Sequence, residues 1–387
     1  MVWRALEWWL TYMAYWSMFG WFGFLAGRGR YWRGREDVKR YGTMAVVVPA
    51  RNEGQVLLRG VPELVAQAGS VAGSVAVTVF VVADGMLGED IRFGELAGAQ
   101  VAGVDSEGRG KQVALRQFWQ AYGEELLGLL IVDADNFPGK GLVQEAADFL
   151  SRGGRIGQAR LSTLPDARGW VARGIAAGYE GTEVFWQRLR SWWGAVVAGG
   201  TGMVMSREVL DADWPGTTAD DLEWTVLEVL RGGRVERLRA FTYDEKPERL
   251  SVALRQRARW MRGHLAVASR YTFSLLWRGP RAWDLLTYLW SPVFLALVWL
   301  LLALGLVIAP VAVVASLLIG WLMGWAAMWR GGGFGHRLFD AAAFVGFSAV
   351  WPAAIWWAMM TPGKGARWVV TPHKGSPADV GTDRASA

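Results

Sequence analysis

LLIVDADNFPG, residues Leu129–Gly139, is the stretch on which the reading of the chain turns. Four apolar residues run without a break into Asp133-Ala134-Asp135, and Asn136, Pro138 and Gly139 then end the run. A short, wholly apolar segment closed by turn residues is the pattern of a strand buried on both faces. Aspartates on alternate positions at its end point to the same side. Such a pair suits one hard divalent cation, Mg²⁺ or Mn²⁺, which binds oxygen and takes one or two protein carboxylates beside phosphate oxygens and water. Taken alone it is also an ordinary capping or turn pair, so the neighbouring segments decide.

Upstream, VVVPARNEG (Val46–Gly54) is a second buried strand, running into Pro-Ala-Arg-Asn-Glu ahead of a helix. Pro49, Arg51, Asn52 and Glu53 are therefore candidates to hold a nucleotide, through Arg51 and backbone N–H groups. A plain strand-to-helix turn capped by Asn52 accounts for the segment equally well. VTVFVVADG (Val77–Gly85) again ends in an acid, Asp84, and GRGKQVAL (Gly108–Leu115) sets Lys111 at a glycine-rich helix start suited to phosphate. Apolar runs at Met44–Val48, Val75–Val82 and Leu129–Val132 alternate with helix-like stretches at Gln55–Ala68 and Lys111–Leu127. This alternation predicts an α/β domain over residues 42–248 with a mostly parallel sheet, and ligands at the carboxyl ends of its strands.

The flanks have a different composition. The chain of 387 residues is 52% hydrophobic and holds 25 tryptophans, with a net charge of +6. That is too apolar for an ordinary soluble enzyme, and indole rings settle at lipid headgroups, so a membrane partner is favoured over nucleic acid. With no cysteine and only His264, His336 and His373, disulfides and thiolate metal sites are excluded and a histidine zinc site is disfavoured. Residues 6–27 are long enough to span a bilayer, and Arg28, Arg30, Arg33, Arg35, Lys39 and Arg40 follow them, which predicts an N-terminal anchor (1–27) with a cytosolic flank. Residues 249–281 mix Arg255, Arg257, Arg259, Arg262 and Arg270 with Trp260, Tyr271 and Trp277, the mixture of a helix lying in the membrane interface. Leu285–Ala309, Val311–Met328 and Ala341–Met360 read as further spans of a C-terminal bundle (282–361), followed by a tail at 362–387. Four spans would put that tail outside, whereas Lys364, Arg367, His373 and Lys374 argue for the inside; sequence leaves its side open.

Placed in order, PARNE, VADG, GRGK, DAD, GGTGM (Gly199–Met203), TADDLEW (Thr218–Trp224) and QRARW (Gln256–Trp260) resemble the membrane-integrated family 2 glycosyltransferases. These are inverting enzymes of GT-A fold that include cellulose, chitin and hyaluronan synthases and ceramide glucosyltransferases. The resemblance implies a GT-A nucleotide-sugar-binding domain with α-helical transmembrane segments at both termini. It also implies that Asp84 contacts the nucleoside, that Lys111, Asp133, Gly200 and Thr201 line the donor site, and that Asp133 and Asp135 hold the Mg²⁺ or Mn²⁺. Asp221 matches the general base; Asp220 stands before it where relatives more often carry Glu. Gln256, Arg259 and Trp260 match the QxxRW signature. Ala83-Asp84 departs from the adjacent aspartates of many relatives, and YDEKP (Tyr243–Pro247) is assigned no chemistry.

The function so implied is transfer of a sugar from a nucleoside-diphosphate donor, a UDP-sugar being expected, to an acceptor hydroxyl at the inner leaflet. The expected setting is a multi-pass protein of the cell membrane, with its catalytic domain cytosolic, in exopolysaccharide or envelope glycan synthesis; a lipid acceptor is the alternative, and oligomers are possible. A non-enzymatic sugar- or lipid-binding membrane protein would not need acids at all the expected positions. A membrane nucleotidyltransferase gives no reason for TADDLEW and QRARW together. Donor sugar and processivity are not written in the spacing.

Overall fold

The computed structural model describes residues 29–34, 38–85, 88–164, 169–308 and 334–361. Over these the chain forms two compact units, one of Tyr31–Leu161 with Trp193–Glu245, the other of Ser162–Trp192 with Lys246–Pro362. The units do not follow chain order: Ser162–Trp192 falls inside the span that sequence assigns to a single α/β domain. The expected N-terminal anchor, the Val311–Met328 span and the tail lie outside the described residues.

In the first unit, β1 (Gly42–Ala50) is buried at every residue from Met44 onward. It pairs in parallel with β2 (Val75–Asp84) on one side and β4 (Leu126–Ile131) on the other, and β3 (Gln100–Val104) extends the parallel set beyond β2. Side chains alternate across β1. Met44, Val46 and Val48 pack with Leu57, Val61 and Leu64 of α1 (Leu57–Gly69) and with Phe149 and Leu150 of α4 (Leu142–Ser151). Ala45 and Val47 face the other way, toward Ala114, Leu115 and Phe118 of α3 (Lys111–Tyr122) and Trp224 of α6 (Asp220–Leu230). Each valine, leucine, methionine or phenylalanine among them, fully withdrawn from water, contributes about 1.5–3 kcal/mol. Burial on both faces is why the strands are continuous apolar runs. Between β2 and β3 stands α2 (Gly88–Leu96). Gly123 caps α3, so that helix stops short of the expected Leu127.

The full sheet has eight strands in the order β3-β2-β1-β4-β7-β6-β8-β5, adding β5 (Phe137–Pro138), β6 (Ile156–Thr163), β7 (Met203–Ser206) and β8 (Val235–Asp244). The expectation of a mostly parallel sheet is corrected here: β7 is antiparallel to both β4 and β6, and β5 to β8, so the sheet is mixed. The chain leaves at the end of β6 for the other unit and returns at Trp193. Gln158, the third residue of β6, is paired with Met203 at the start of β7, and Ile156 at the start of β6 with Met205. A short apolar run such as MVMS carries no signal of direction, so its pairing could not be read from the sequence.

The second unit is helical in its described part. α5 (Gly169–Gly181) runs on through a π-helical turn at Thr182–Gln187, and is joined by α7 (Leu250–Leu276), α8 (Pro280–Ile308) and α9 (Phe334–Met360). Arg257 of α7 is buried among rings, its guanidinium 4.2 Å from the Trp351 centroid, 4.6 Å from Trp260, 5.6 Å from Tyr179 and 5.8 Å from Phe347. Arg173 of α5 is ion-paired with Asp340 of α9, and Arg190 with Asp284 of α8 at 2.9 Å. Among the described residues no helix is long and apolar enough to cross a membrane. The apolar end of α8 from Val298 onward is not among the described side chains.

Candidate active site

β1, β2 and β4 end side by side, and their order makes the gap between β1 and β4 the point where successive connections turn to opposite sides of the sheet. In α/β sheets that gap is where ligands bind. Asp133 follows β4 there and is partly exposed, and Lys111 at the start of α3 donates to its Oδ1 at 2.5 Å. The same ammonium donates to the Gly200 carbonyl at 2.7 Å. Burial by itself lowers the Lys111 pKa; the carboxylates of Asp133, Asp220 and Asp221 outweigh it and hold the group above the ordinary lysine value. Lys111 therefore keeps its charge among the acids.

The GGTGM segment is the floor beneath Asp133. Thr201 Oγ1 accepts the Asp133 N–H at 3.1 Å, Gln158 Nε2 donates to the Thr201 carbonyl at 2.8 Å, and the Gly199 N–H donates to Gln158 Oε1 at 2.9 Å. Thr201 is buried and Gly200 presents its carbonyl to Lys111, so both residues support the charged groups above them. Gly202 has φ +62°, and a Cβ there would run into Thr242 Oγ1 and lie 2.8 Å from Ala159 Cβ. Only glycine fits this approach of the loop to β6 and β8.

Asp221 sits in the first turn of α6, where the helix dipole favours a negative group. Its Oδ1 accepts the Leu222 N–H at 2.7 Å, and its Oδ2 borders Gly200. Burial first, and Asp220 beside it second, push the Asp221 carboxyl up to about 7. Asp220 is the more enclosed of the two; burial raises it as well, and its Oδ2 is buried with no hydrogen-bond partner. A carboxyl poised near 7 is suited to take up and release a proton at neutral pH.

The PARNE segment has a different arrangement from its sequence reading. The N–H groups of Asn52, Glu53 and Gly54 all donate to the buried carboxylate of Asp90 on α2, at 2.6, 2.8 and 2.7 Å. They are thus spent on a residue that sequence reasoning did not single out. Asn52 is held at φ +60°, Pro49 is enclosed at the end of β1, and Glu53 is buried with its Oε2 unpartnered. Burial, then Asp135, Asp90 and Asp133, push the Glu53 carboxyl up to about 9. Asp84 is fully buried and accepts from Arg51 Nη1 at 2.6 Å and from Ser106 N and Oγ at 2.6 and 2.7 Å. Asp90 and Ser106 had no signal of their own in the sequence, since their roles arise from contacts 22 to 38 residues away.

Gln256, Arg259 and Trp260 lie on α7 of the helical unit, all half-buried, at the i, i+3, i+4 spacing that shares a helix face. They belong to a different unit from the acids and Lys111. Among the described residues no three His, Cys, Asp or Glu side chains cluster closely enough to cage a metal by themselves. The donor set that is present, Asp133 and Asp135 with the unpartnered oxygen of Glu53 nearby, is all oxygen and fits a hard cation completing its shell with phosphate and water.

An α/β fold of GT-A-like form, with acids and a lysine at its carboxyl edge, defines a class of sugar-transferring enzymes. A family model described as Glycosyl transferase family group 2 matches residues 128–328, more than half of the chain. The chain belongs to that family and is a glycosyltransferase. It is similar to a mannosyltransferase from Pyrobaculum calidifontis solved with GDP-Man and Mn²⁺, at 15% identity and a TM-score of 0.57, over 92% of this chain and 98% of that one. Glucosyl-3-phosphoglycerate synthase from Mycobacterium tuberculosis, solved with Mn²⁺, UDP and glucosyl-3-phosphoglycerate, matches at 17% identity and a TM-score of 0.41, over 58% of this chain and 80% of that one. No curated protein matches the chain.

Proposed function

We propose that this protein is an inverting membrane glycosyltransferase that moves a sugar from a nucleoside-diphosphate donor to an acceptor hydroxyl at the inner leaflet, in exopolysaccharide or cell-envelope glycan synthesis. The observation that carries the reading is the gathering of Lys111, Asp133 and the raised carboxyl of Asp221 around the Gly199–Met203 loop. Lys111, kept charged, meets the diphosphate and offsets the negative charge that grows on it as the bond to the anomeric carbon breaks. Asp221 takes the proton of the acceptor hydroxyl as its oxygen bonds to that carbon from the opposite face, which inverts the centre. Asp133 and Asp135 would hold Mg²⁺ or Mn²⁺, which when bound supplies further charge neutralisation at the diphosphate.

Membrane attachment is supported by the helical unit. Trp277 and Phe273 near the end of α7 are 87% and 79% exposed, with Trp283 half-exposed at the start of α8 and Arg270, Arg278 and Arg281 around them. Exposed aromatic rings among arginines are the mark of a surface at the level of lipid headgroups. The deciding experiment incubates membranes containing the protein with labelled nucleotide-sugars. Label in a high-mass polymer supports glycan synthesis, label in a solvent-extractable lipid supports the glycolipid alternative, and transfer of none of the sugars by folded, metal-supplied protein sinks both.

A further inference from the structure

Lys111 and Asp221 stand at the starts of two separate helices, yet their spacing has to match that between the donor diphosphate and the acceptor oxygen on either side of one carbon. The Gly199–Met203 loop touches both groups: the Gly200 carbonyl takes Lys111 Nζ at 2.7 Å, and a Cβ on Gly200 would lie 3.1 Å from Asp221 Oδ2. On the side of β6 the loop is bracketed by Gln158, which accepts the Gly199 N–H and donates to the Thr201 carbonyl. On the side of α6 it is tied by Thr225, one turn after Asp221 and fully buried. The Thr225 hydroxyl donates to the Asp221 carbonyl at 3.1 Å and accepts the Ala198 N–H at 3.0 Å. A hydroxyl bonded to the carbonyl four residues back is ordinary in a helix. What is particular here is that the same oxygen holds an N–H from a segment 27 residues away, immediately before Gly199.

Resting on the reading above, with Asp221 as the base, we propose that Thr225 is a positioning residue that holds the base in register with the loop that seats Lys111. One buried oxygen joins the backbone of the turn carrying Asp221 to the segment that leads into Gly200. The diphosphate side is fixed by other contacts, since Lys111 is held by Asp133 and the Gly200 carbonyl, and the loop by Gln158. Removing the hydroxyl therefore leaves the donor seat in place and frees the Asp221 turn. It also strands the buried Ala198 N–H, a penalty relieved only by a shift of one segment against the other. A displacement of about 1 Å between a catalytic group and its target costs about 10²-fold in rate, and none of that cost falls on donor binding. Thr225 meets Asp221 at its main-chain carbonyl, so it acts through the turn and not on the proton.

The test is initial-rate kinetics on membranes containing the full chain, with labelled UDP-glucose, UDP-N-acetylglucosamine and GDP-mannose as donors and Mg²⁺ present. With the donor that wild type uses, Thr225→Val keeps the branched shape, loses the hydroxyl, and should lower turnover about 10- to 100-fold while donor KM stays within about threefold of wild type. Thr225→Ser keeps the hydroxyl and loses a buried methyl, so turnover should return to within about threefold of wild type although the unfolding temperature is lower. Hydrogen exchange at the Ala198 amide, followed by mass spectrometry on the solubilised protein, should quicken in Thr225→Val and not in Thr225→Ser. In an Asp221→Asn background, Thr225→Val should cost less than about threefold more, because no base is left to place. Wild-type turnover in Thr225→Val, a matching rise in donor KM, or a loss of turnover that follows the unfolding temperature through both variants overturns the positioning role and leaves the glycosyltransferase reading intact. Wild-type turnover in Asp221→Asn, or transfer from none of the three donors by folded wild type, overturns the reading of the site itself and this inference with it.

Discussion

Replacing Asp221 by Asn exchanges one oxygen for nitrogen in a half-buried side chain and removes the only function proposed for it, taking a proton. The fold holds the carboxyl at about 7, so at pH 7 close to half the molecules carry the base form and at pH 6 about a tenth do. Wild-type turnover at saturating donor and acceptor should therefore fall about fivefold from pH 7 to pH 6, and level off above pH 8. Asp221→Asn should lose about 10²- to 10⁴-fold in turnover, roughly 3–5 kcal/mol of transition-state stabilisation. Its residual rate should be flat across this range, and its donor affinity close to wild type. Stability supplies a second reading with a fixed sign. A carboxyl raised by burial and by Asp220 favours the fold while protonated, and that contribution is lost as pH rises from the ordinary carboxylate range through about 7. Thermal unfolding should then show Asp221→Asn gaining on wild type at pH 8 and not at pH 4. Wild-type turnover in Asp221→Asn, or loss of activity confined to Asp220→Asn, would refute the assignment of the base.

Further outcomes follow from the same geometry. Activity should be lost in excess chelator and restored by Mg²⁺ or Mn²⁺, and Asp135→Ala should weaken metal-dependent donor binding without lowering the unfolding temperature; full activity in chelator counts against the oxygen site. Gly202→Ala forces a Cβ onto Thr242 and Ala159 at φ +62°, and should cost about 2–4 kcal/mol in denaturant unfolding; a cost below 1 kcal/mol would mean that the loop does not need its close approach to β8. A reporter fused after Arg40 should read cytosolic, as the basic run from Arg28 to Arg40 requires; an external reading overturns the topology.

Sequence by itself determined the strands that are buried on both faces and the acids at their ends. A strand such as Gly42–Ala50 has no solvent side, so its apolar run is unbroken and its end is marked by the first polar residues. For the same reason the positions of Asp84 and Asp133 at strand ends, and of Lys111 and Asp221 at helix starts, were legible before any contact was known. Direction was not. MVMS could pair either way, and only its register against β4 and β6 in the folded chain makes β7 antiparallel and the sheet mixed. Nor could sequence say which polar groups were already satisfied. Backbone N–H groups after Pro49 read as candidates to hold a nucleotide, yet those of Asn52, Glu53 and Gly54 donate to Asp90 on a separate helix, and Asp84 at its strand end accepts from Ser106 and Arg51. Hydrophobic pattern is a property of neighbours along the chain and can be read there. Hydrogen-bond satisfaction and the raised carboxyls of Asp221 and Glu53 depend on groups brought together from distant segments, and only the tertiary structure decides them.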